Sequence, residues 1–209
     1  MDKWPSLQNP GGGLVLASLS ESRRSMLSAA GLNFRQIGSG VDEHALRAEL
    51  ETDEGWTPAK VALALARSKA LAVSAIERDA HIIGADQVLD VNGAIWDKPG
   101  SRDKAREQLL ELTGNEHKLH SAVCVALAGE VVWEAVDTAH IRFRDYSTDF
   151  VDRYLALADD SLFNCVGACQ IEALGVHLFE RVNGDFFTIL GLPLLPLLGY
   201  LRETGLILR

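Results

Sequence analysis

Apolar positions recur along this chain in two periods, one of strands and one of helices. Over residues 82–89, Ile82, Gly84, Asp86 and Val88 fall on one strand face, and Ile83, Ala85, Gln87 and Leu89 on the other. Asn92-Gly93 then predicts a two-residue type I′ turn, and Lys98 is held extended by Pro99 behind it. Leu14 to Ala17 predicts a short strand, followed by a helix that Ser20 caps and Gly31 stops after about Ala30. Thr57-Pro58 opens a second helix, with the threonine as cap and proline at the first position, running to about Ile76. Ser101 caps a helix that turns Ala105, Leu109 and Leu112 inward and ends at Gly114. Residues 117–144 predict a hairpin around Gly129-Glu130, and Ser147 opens a helix to about Leu157. A last strand pair is expected to turn at Asn183-Gly184, before a largely buried helix from Pro193 to Thr204 that ends at Gly205. Strands and helices interleaved in this way predict an α/β fold with a mixed sheet.

At 209 residues, 47% hydrophobic and 23% charged, the chain can bury a core as one domain or two closely packed lobes. Residues 1–13 are expected to form a flexible N-terminal segment, and residues 14–209 a single domain, since no linker interrupts them. A formal charge of −9 argues against a nucleic-acid or anionic-membrane surface, so an anionic ligand must be small and held in a local basic pocket. No segment approaches the ~18 consecutive apolar residues of a membrane helix, and the first dozen lack a signal-peptide run. A cytoplasmic location is the expectation. Cys124, Cys165 and Cys169 are an odd set that predicts free thiols. With His177 the last two still lack a fourth zinc ligand, so they read as buried small apolar residues.

Several charges are misplaced for stability alone. Arg23 and Arg24 lie in the first turn of the Ser20-capped helix, where the dipole disfavours cations unless an anion binds. With the hydroxyls of Ser18 and Ser20 they make a phosphate cradle. Lys69 stands on an apolar ridge with Val61, Leu65 and Val73, so it must snorkel or meet an anion. Asp86, in an apolar strand, should meet a metal, a cation or a water that it activates. Glu172 sits among small and apolar residues, with a salt bridge to Arg181 as its bland explanation; Glu43 reads equally as a solvated loop acid or a helix cap. Carboxylates, lysines, an arginine pair and serine caps are the parts for metal-assisted attack of water on a polyphosphate. There is no G-x-x-x-x-G-K-[ST] loop, no Ser-His-Asp or Cys-His set stands out, and His81, His117 and His120 read as ordinary strand residues.

The ordered set LASLSESRRSML (16–27), GVDE (40–43), LARSKA (65–70), GADQV (84–88), DKP (97–99), LTGNEH (112–117) and LFERVNGDFFTILGLPL (178–194) resembles the Maf family of nucleoside triphosphate pyrophosphatases. The resemblance covers nearly the whole chain from residue 14. It implies a two-lobed α/β fold like that of the Maf and inosine-triphosphatase enzymes, often dimeric, with a cleft between the lobes. It also implies hydrolysis of a nucleoside triphosphate to the monophosphate and pyrophosphate with a divalent metal such as magnesium, manganese or cobalt. On matching positions Asp86 would be the proton acceptor or metal-linked base, Glu43 would support the metal, and Ser18, Arg23, Lys69 and Lys98 would hold the phosphates.

Substrate selectivity in similar Maf proteins is associated with positions that fall here on Ser22, Gln87 and Glu172. The dTTP/UTP branch typically reads GADT with a late glutamine, whereas the 7-methyl-GTP branch reads GSDQ with Cys-Ala-Gly and a glutamate. Gln87, the Cys165-Val166-Gly167 run and Glu172 lean to the second branch, while Glu21-Ser22 replaces the Pro-Arg or Pro-Trp pair of either. The leading expectation is a 7-methyl-GTP or other modified-nucleotide pyrophosphatase. The alternatives are a dTTP/UTP-type enzyme and a nucleotide-binding regulator of septum formation with little turnover.

Overall fold

The computed structural model describes residues 7–9 and 13–209. Its strands are β1 (Gly13–Leu16), β2 (Arg35–Gln36), β3 (Ala80–Val91), β4 (Ala94–Trp96), β5 (Glu116–Leu127), β6 (Glu130–Phe143) and β7 (Phe179–Asn183). They form one sheet in the order β2-β1-β3-β5-β6-β7, with β4 alongside β3. β1 runs parallel to β2 and β3, and every other pairing is antiparallel, so the sheet is mixed. The helices are α1 (Glu21–Ala29), α2 (Glu43–Leu50), α3 (Pro58–Ser74), α4 (Arg102–Leu112), α5 (Thr148–Leu157), α6 (Phe186–Ile189) and α7 (Leu194–Glu203).

Local chemistry explains most of these boundaries. The hydroxyls of Ser20, Thr57, Ser101 and Ser147 each accept the backbone N–H three residues on, satisfying a donor that the first helical turn cannot. Asn92 and Gly93 have φ of 53° and 88°, as a type I′ turn requires.

Three expectations need correction. The β5–β6 turn is centred on Ala128 and Gly129, both at positive φ, one residue before Gly129-Glu130; Glu130 already belongs to β6. Asn183-Gly184 does not join a strand pair. Asn183 ends β7, whose partner is β6, and Asp185 then caps α6 by accepting from the amides of Phe187 and Thr188. Gly184 is needed because a Cβ there would lie 2.7 Å from the Ala139 Cα. The closing helix α7 buries one face, through Leu194, Leu197 and Leu201, and leaves Leu195 exposed. An unforeseen helix, α2, is capped by Asp42, so Glu43 is neither loop acid nor cap but a first-turn residue.

The packing divides in two. α3 covers one face of β3 and β5 through Val61, Leu65, Ala66 and Ala70 against Val88 and Ala122. Leu27 of α1 and Leu197 and Leu201 of α7 cover the opposite face against Ile83, Ala85 and Val123. A separate core gathers at the far ends of the long strands, where Leu109, Leu112 and Leu155 meet Leu89, Ile141 and Phe143. These are the two lobes, and the cleft opens between them.

Of the segment expected to be flexible, residues 1–6 and 10–12 lie outside the described residues. Residues 7–9 are tied to the chain's other end: Gln8 bridges to Ile207, and the Asn9 amide donates to the Leu206 carbonyl at 2.9 Å. No helix among the described residues is long and apolar enough to cross a membrane. All three cysteines are free thiols, and only Cys124 is fully buried.

The topology prepares a site at one edge of β3. β1 pairs with β3 only as far as Ile83, and β4 takes up that edge only from Leu89. Between them β3 has no strand neighbour on that side among the described residues, and the chain leaves β1 there to enter α1. Ligands of α/β sheets bind at such breaks, beyond the carboxyl end of a parallel strand.

Candidate active site

Asp86 lies in this gap and points to the α3 face of the sheet. α3 approaches β3 closely because residue 84 is glycine: a Cβ there would stand 2.3 Å from the Ala66 carbonyl oxygen and 2.6 Å from the Ala70 amide nitrogen. That approach puts Lys69 beside Asp86. Its Nζ donates to Asp86 Oδ1 at 2.5 Å and pairs with Glu43 Oε1 at 2.7 Å, so one ammonium bridges two carboxylates. Lys69 and Asp86 are both buried, whereas Glu43 reaches in from the exposed start of α2. The lysine on an apolar ridge has therefore found an anion, and does not snorkel.

Burial pushes the Asp86 carboxyl above its ordinary range, opposed by the charges of Lys69 and Arg23. Partial burial also acts upward on Glu43, but Lys69, Lys98 and Arg23 outweigh it and hold that carboxyl below its ordinary range. Burial lowers the Arg23 guanidinium, while Asp86 and Glu43 draw it back up. An acid poised high beside an acid poised low suits proton transfer at the first and charge retention at the second.

The α1 entrance supplies the next group. Arg23 is buried, donating from Nε to the Gly191 carbonyl at 2.8 Å and from Nη1 to Ser18 Oγ at 3.1 Å. The Gln36 side chain donates to the Ser18 carbonyl at 2.8 Å and fixes this loop. The Ser20 hydroxyl lines the cleft and is engaged as the α1 cap.

Arg24 departs from the expected cradle. Successive helical residues point about 100° apart, so Arg24 faces solvent, forms an ion pair with Glu21, and does not line the cleft. Lys98, exposed on the extended segment after β4, does line it.

The cleft encloses about 610 Å³. One half holds Ser18, Arg23, Glu43, Lys69, Asp86 and Lys98; the other is walled mainly by Leu89, Leu119, Ile141, Phe143, Phe179 and Ile189. Ser22, Gln87 and Glu172 all lie on its lining. Gln87 Nε2 donates to Ser121 Oγ at 3.1 Å and to the carbonyls of Thr188 and Ile189 at 3.0 and 2.9 Å, while its Oε1 has no hydrogen-bond partner among the described residues. The bland partner for Glu172 is engaged elsewhere: Arg181 pairs with Glu116 at 2.8 Å. Glu172 stands exposed on the rim of the cleft. Cys165 and Cys169, expected to be buried, are only partly so and also line it.

Sequence reasoning passed over His117, which is 5% exposed, packs edge-on against Phe143 at 4.6 Å, and lines the apolar half. Its place in LTGNEH was the available signal. Gly84 and the Gly191 carbonyl were also passed over, since each works by a backbone approach that no side-chain pattern reports. His120, by contrast, is occupied within the sheet by Asp90 at 3.0 Å and Thr138 at 2.9 Å.

Among the described residues no group of three or more His, Cys, Asp or Glu side chains could cage a metal. Asp86 and Glu43 nevertheless bring two hard carboxylates together on Lys69, which engages Oδ1 of one and Oε1 of the other. That set fits a small divalent cation that keeps waters and takes its remaining oxygens from substrate phosphates.

A family model described as Maf-like protein matches residues 13–204. The chain is 46% identical over 194 residues to a 7-methyl-GTP pyrophosphatase of Rhizobium meliloti (strain 1021), covering 93% of this chain and 97% of that protein. It is equally 46% identical over 194 residues to a nucleoside triphosphate pyrophosphatase of Bradyrhizobium diazoefficiens, covering 93% and 95%. A nucleoside triphosphate pyrophosphatase of Caulobacter vibrioides matches at 46% over 192 residues, covering 92% and 96%. The matched span includes both lobes and every residue of the cleft described above, and the chain belongs to the Maf family.

Proposed function

We propose that this protein is a pyrophosphatase that hydrolyses a nucleoside triphosphate to the monophosphate and pyrophosphate, with 7-methyl-GTP as leading substrate. The observation that carries the proposal is the buried Lys69, bridging Asp86 and Glu43 at 2.5 and 2.7 Å in a cleft that also presents Arg23 and Lys98. Such an arrangement serves charge that arrives with a ligand.

Arg23, Ser18 and Lys98 would hold the phosphate oxygens. Asp86 would take a proton from the attacking water as its oxygen bonds to the phosphorus nearest the nucleoside and the P–O bond to pyrophosphate breaks. Lys69 would keep Asp86 oriented and ionised, and the cations would balance charge growing on the leaving pyrophosphate. Asp86 and Glu43 would hold a magnesium, manganese or cobalt ion, which when bound polarises phosphate oxygens as a Lewis acid.

The choice of base rests on Glu172. A rim carboxylate with no ion-pair partner among the described residues suits the positive ring of 7-methylguanine better than a neutral pyrimidine. The free thiols and the nucleotide substrate accord with a cytoplasmic setting.

Pyrophosphate release across 7-methyl-GTP, GTP, dTTP, UTP and CTP with each metal tests the proposal, with Asp86→Asn as control. Preferred release from 7-methyl-GTP, lost in the variant while binding persists, is the expected result. A pyrimidine preference would overturn the choice of base, and silence with every triphosphate would overturn the enzyme reading.

A further inference from the structure

The apolar half of the cleft contains a polar side chain, His117, that nothing in the chemistry above uses. His117 projects from β5 on the same sheet face as Leu119 and Ser121, in register with Ile141 of β6. Ser121 bonds to Gln87 at the junction of the two halves. Four residues at a strand rise of about 3.4 Å put His117 roughly 13 Å farther along the cleft. That is where the flat, apolar part of a nucleotide must lie once its phosphates occupy the cationic half.

The imidazole has an unusual deficit. Its Nδ1 is enclosed and meets no hydrogen-bond partner among the described residues, although the residue is only 5% exposed. Burial lowers its pKa to about 4, so at neutral pH the ring carries a single proton. An enclosed N–H without an acceptor is rarer and costlier than an enclosed lone pair. The proton therefore resides on Nε2, the ring nitrogen of this cleft-lining residue that is not among the enclosed unpartnered atoms, and the site offers a donor that physiological pH does not alter.

We infer that His117 is a specificity-determining residue that donates from Nε2–H to a ring carbonyl of the nucleobase, selecting oxo bases over amino bases. The inference deepens the proposed function and rests on it. On a 6-oxopurine the acceptor is O6, which stays available when N7 is methylated, whereas adenine presents an N6 amino donor at the same edge. Adenine would set donor against donor in a dry pocket. A site built to hydrogen-bond one group discriminates strongly against an analogue that cannot reciprocate.

The test compares kcat/KM for 7-methyl-GTP and GTP with that for ATP, in the wild type, His117→Phe and His117→Gln. Phenylalanine keeps a flat ring against Phe143 but cannot donate; glutamine restores a donor at similar reach. The expected result is a wild-type preference for the oxo bases that falls about ten-fold or more in His117→Phe, mainly through KM, and partly returns in His117→Gln. A preference unchanged in His117→Phe, or absent from the wild type, would overturn the inference while leaving the pyrophosphatase intact. Wild-type silence toward every triphosphate would instead defeat the enzyme reading, and this inference with it. Should His117→Phe fail to fold, nitrogen-15 NMR of the wild type decides. A protonated Nε2 whose proton moves downfield on adding GTP, but not ATP, supports the assignment; protonation at Nδ1, or no GTP-induced shift, overturns it.

Discussion

Gly84→Ala isolates the contact on which the Asp86–Lys69 pair depends. Gly84 does not occupy a backbone region closed to other residues, so its requirement is steric. The added Cβ would sit 2.3 Å from the Ala66 carbonyl oxygen and 2.6 Å from the Ala70 nitrogen, both backbone atoms of α3 that cannot rotate away. An ordinary carbon–oxygen contact needs about 3.3 Å, so the helix must retreat by about 1 Å. Overpacking of this kind costs about 1–3 kcal/mol. The same retreat lengthens the 2.5 Å Lys69–Asp86 contact. At an effective dielectric near 20, lengthening it by about 1 Å weakens the attraction by about 2 kcal/mol. A displacement of that size at a reacting centre lowers turnover by about 10²-fold. Urea unfolding should show a lower midpoint at unchanged slope, and pyrophosphate release should fall by that factor with the variant still folded. A Gly84→Ala protein with the wild-type midpoint and kcat would refute the claim that close helix–strand approach builds this site.

Two further outcomes follow from the geometry. Arg23→Ala removes a buried cation that holds Ser18 and should lower kcat/KM by about 10²–10³-fold, whereas Arg24→Ala, on the solvent face, should stay within about two-fold; equal losses in a steady-state assay would restore Arg24 to the cradle. His117 also makes stability depend on pH. Its folded pKa of about 4 lies below the ordinary 6.5, so the unfolded chain binds the proton more readily. The contribution is full above pH 6.5 and is lost as pH falls toward 4, amounting to about 3 kcal/mol. His117→Phe should flatten the fall in unfolding free energy across that window, and an unchanged slope would contradict the burial effect.

What could be read from the chain beforehand follows the range of the interactions involved. Ser20, Thr57, Ser101 and Ser147 bond to amides three residues away, so a cap and its helix are visible together in a short window. α2 escaped notice because it is only eight residues long, and the one pair that packs it against α3, Leu46 and Leu50, is too short a pattern to stand out. Asn183-Gly184 carries a hairpin signal, yet the strand that precedes it pairs with β6 some forty residues upstream, as Arg142 opposite Arg181 records. Asp86 and Lys69 were legible as charges in apolar patterns, whereas their bridge to Glu43 depends on how α2 returns to α3. Arg24 was grouped with Arg23 because sequence adjacency hides a rotation of about 100°. His117 looked ordinary because alternation assigns a residue to a face without saying that the face borders a cleft.

Residues 188–191 bond at once to the cationic half of the cleft and to the junction of its two halves. The carbonyls of Thr188 and Ile189 receive the Gln87 amide, and the carbonyl of Gly191 receives Arg23. A nascent chain therefore makes Arg23 168 residues before the acceptor that seats it. A fragment ending before Gly191 would leave the Arg23 guanidinium without that acceptor, so the cleft is completed only once the chain has been made as far as Gly191.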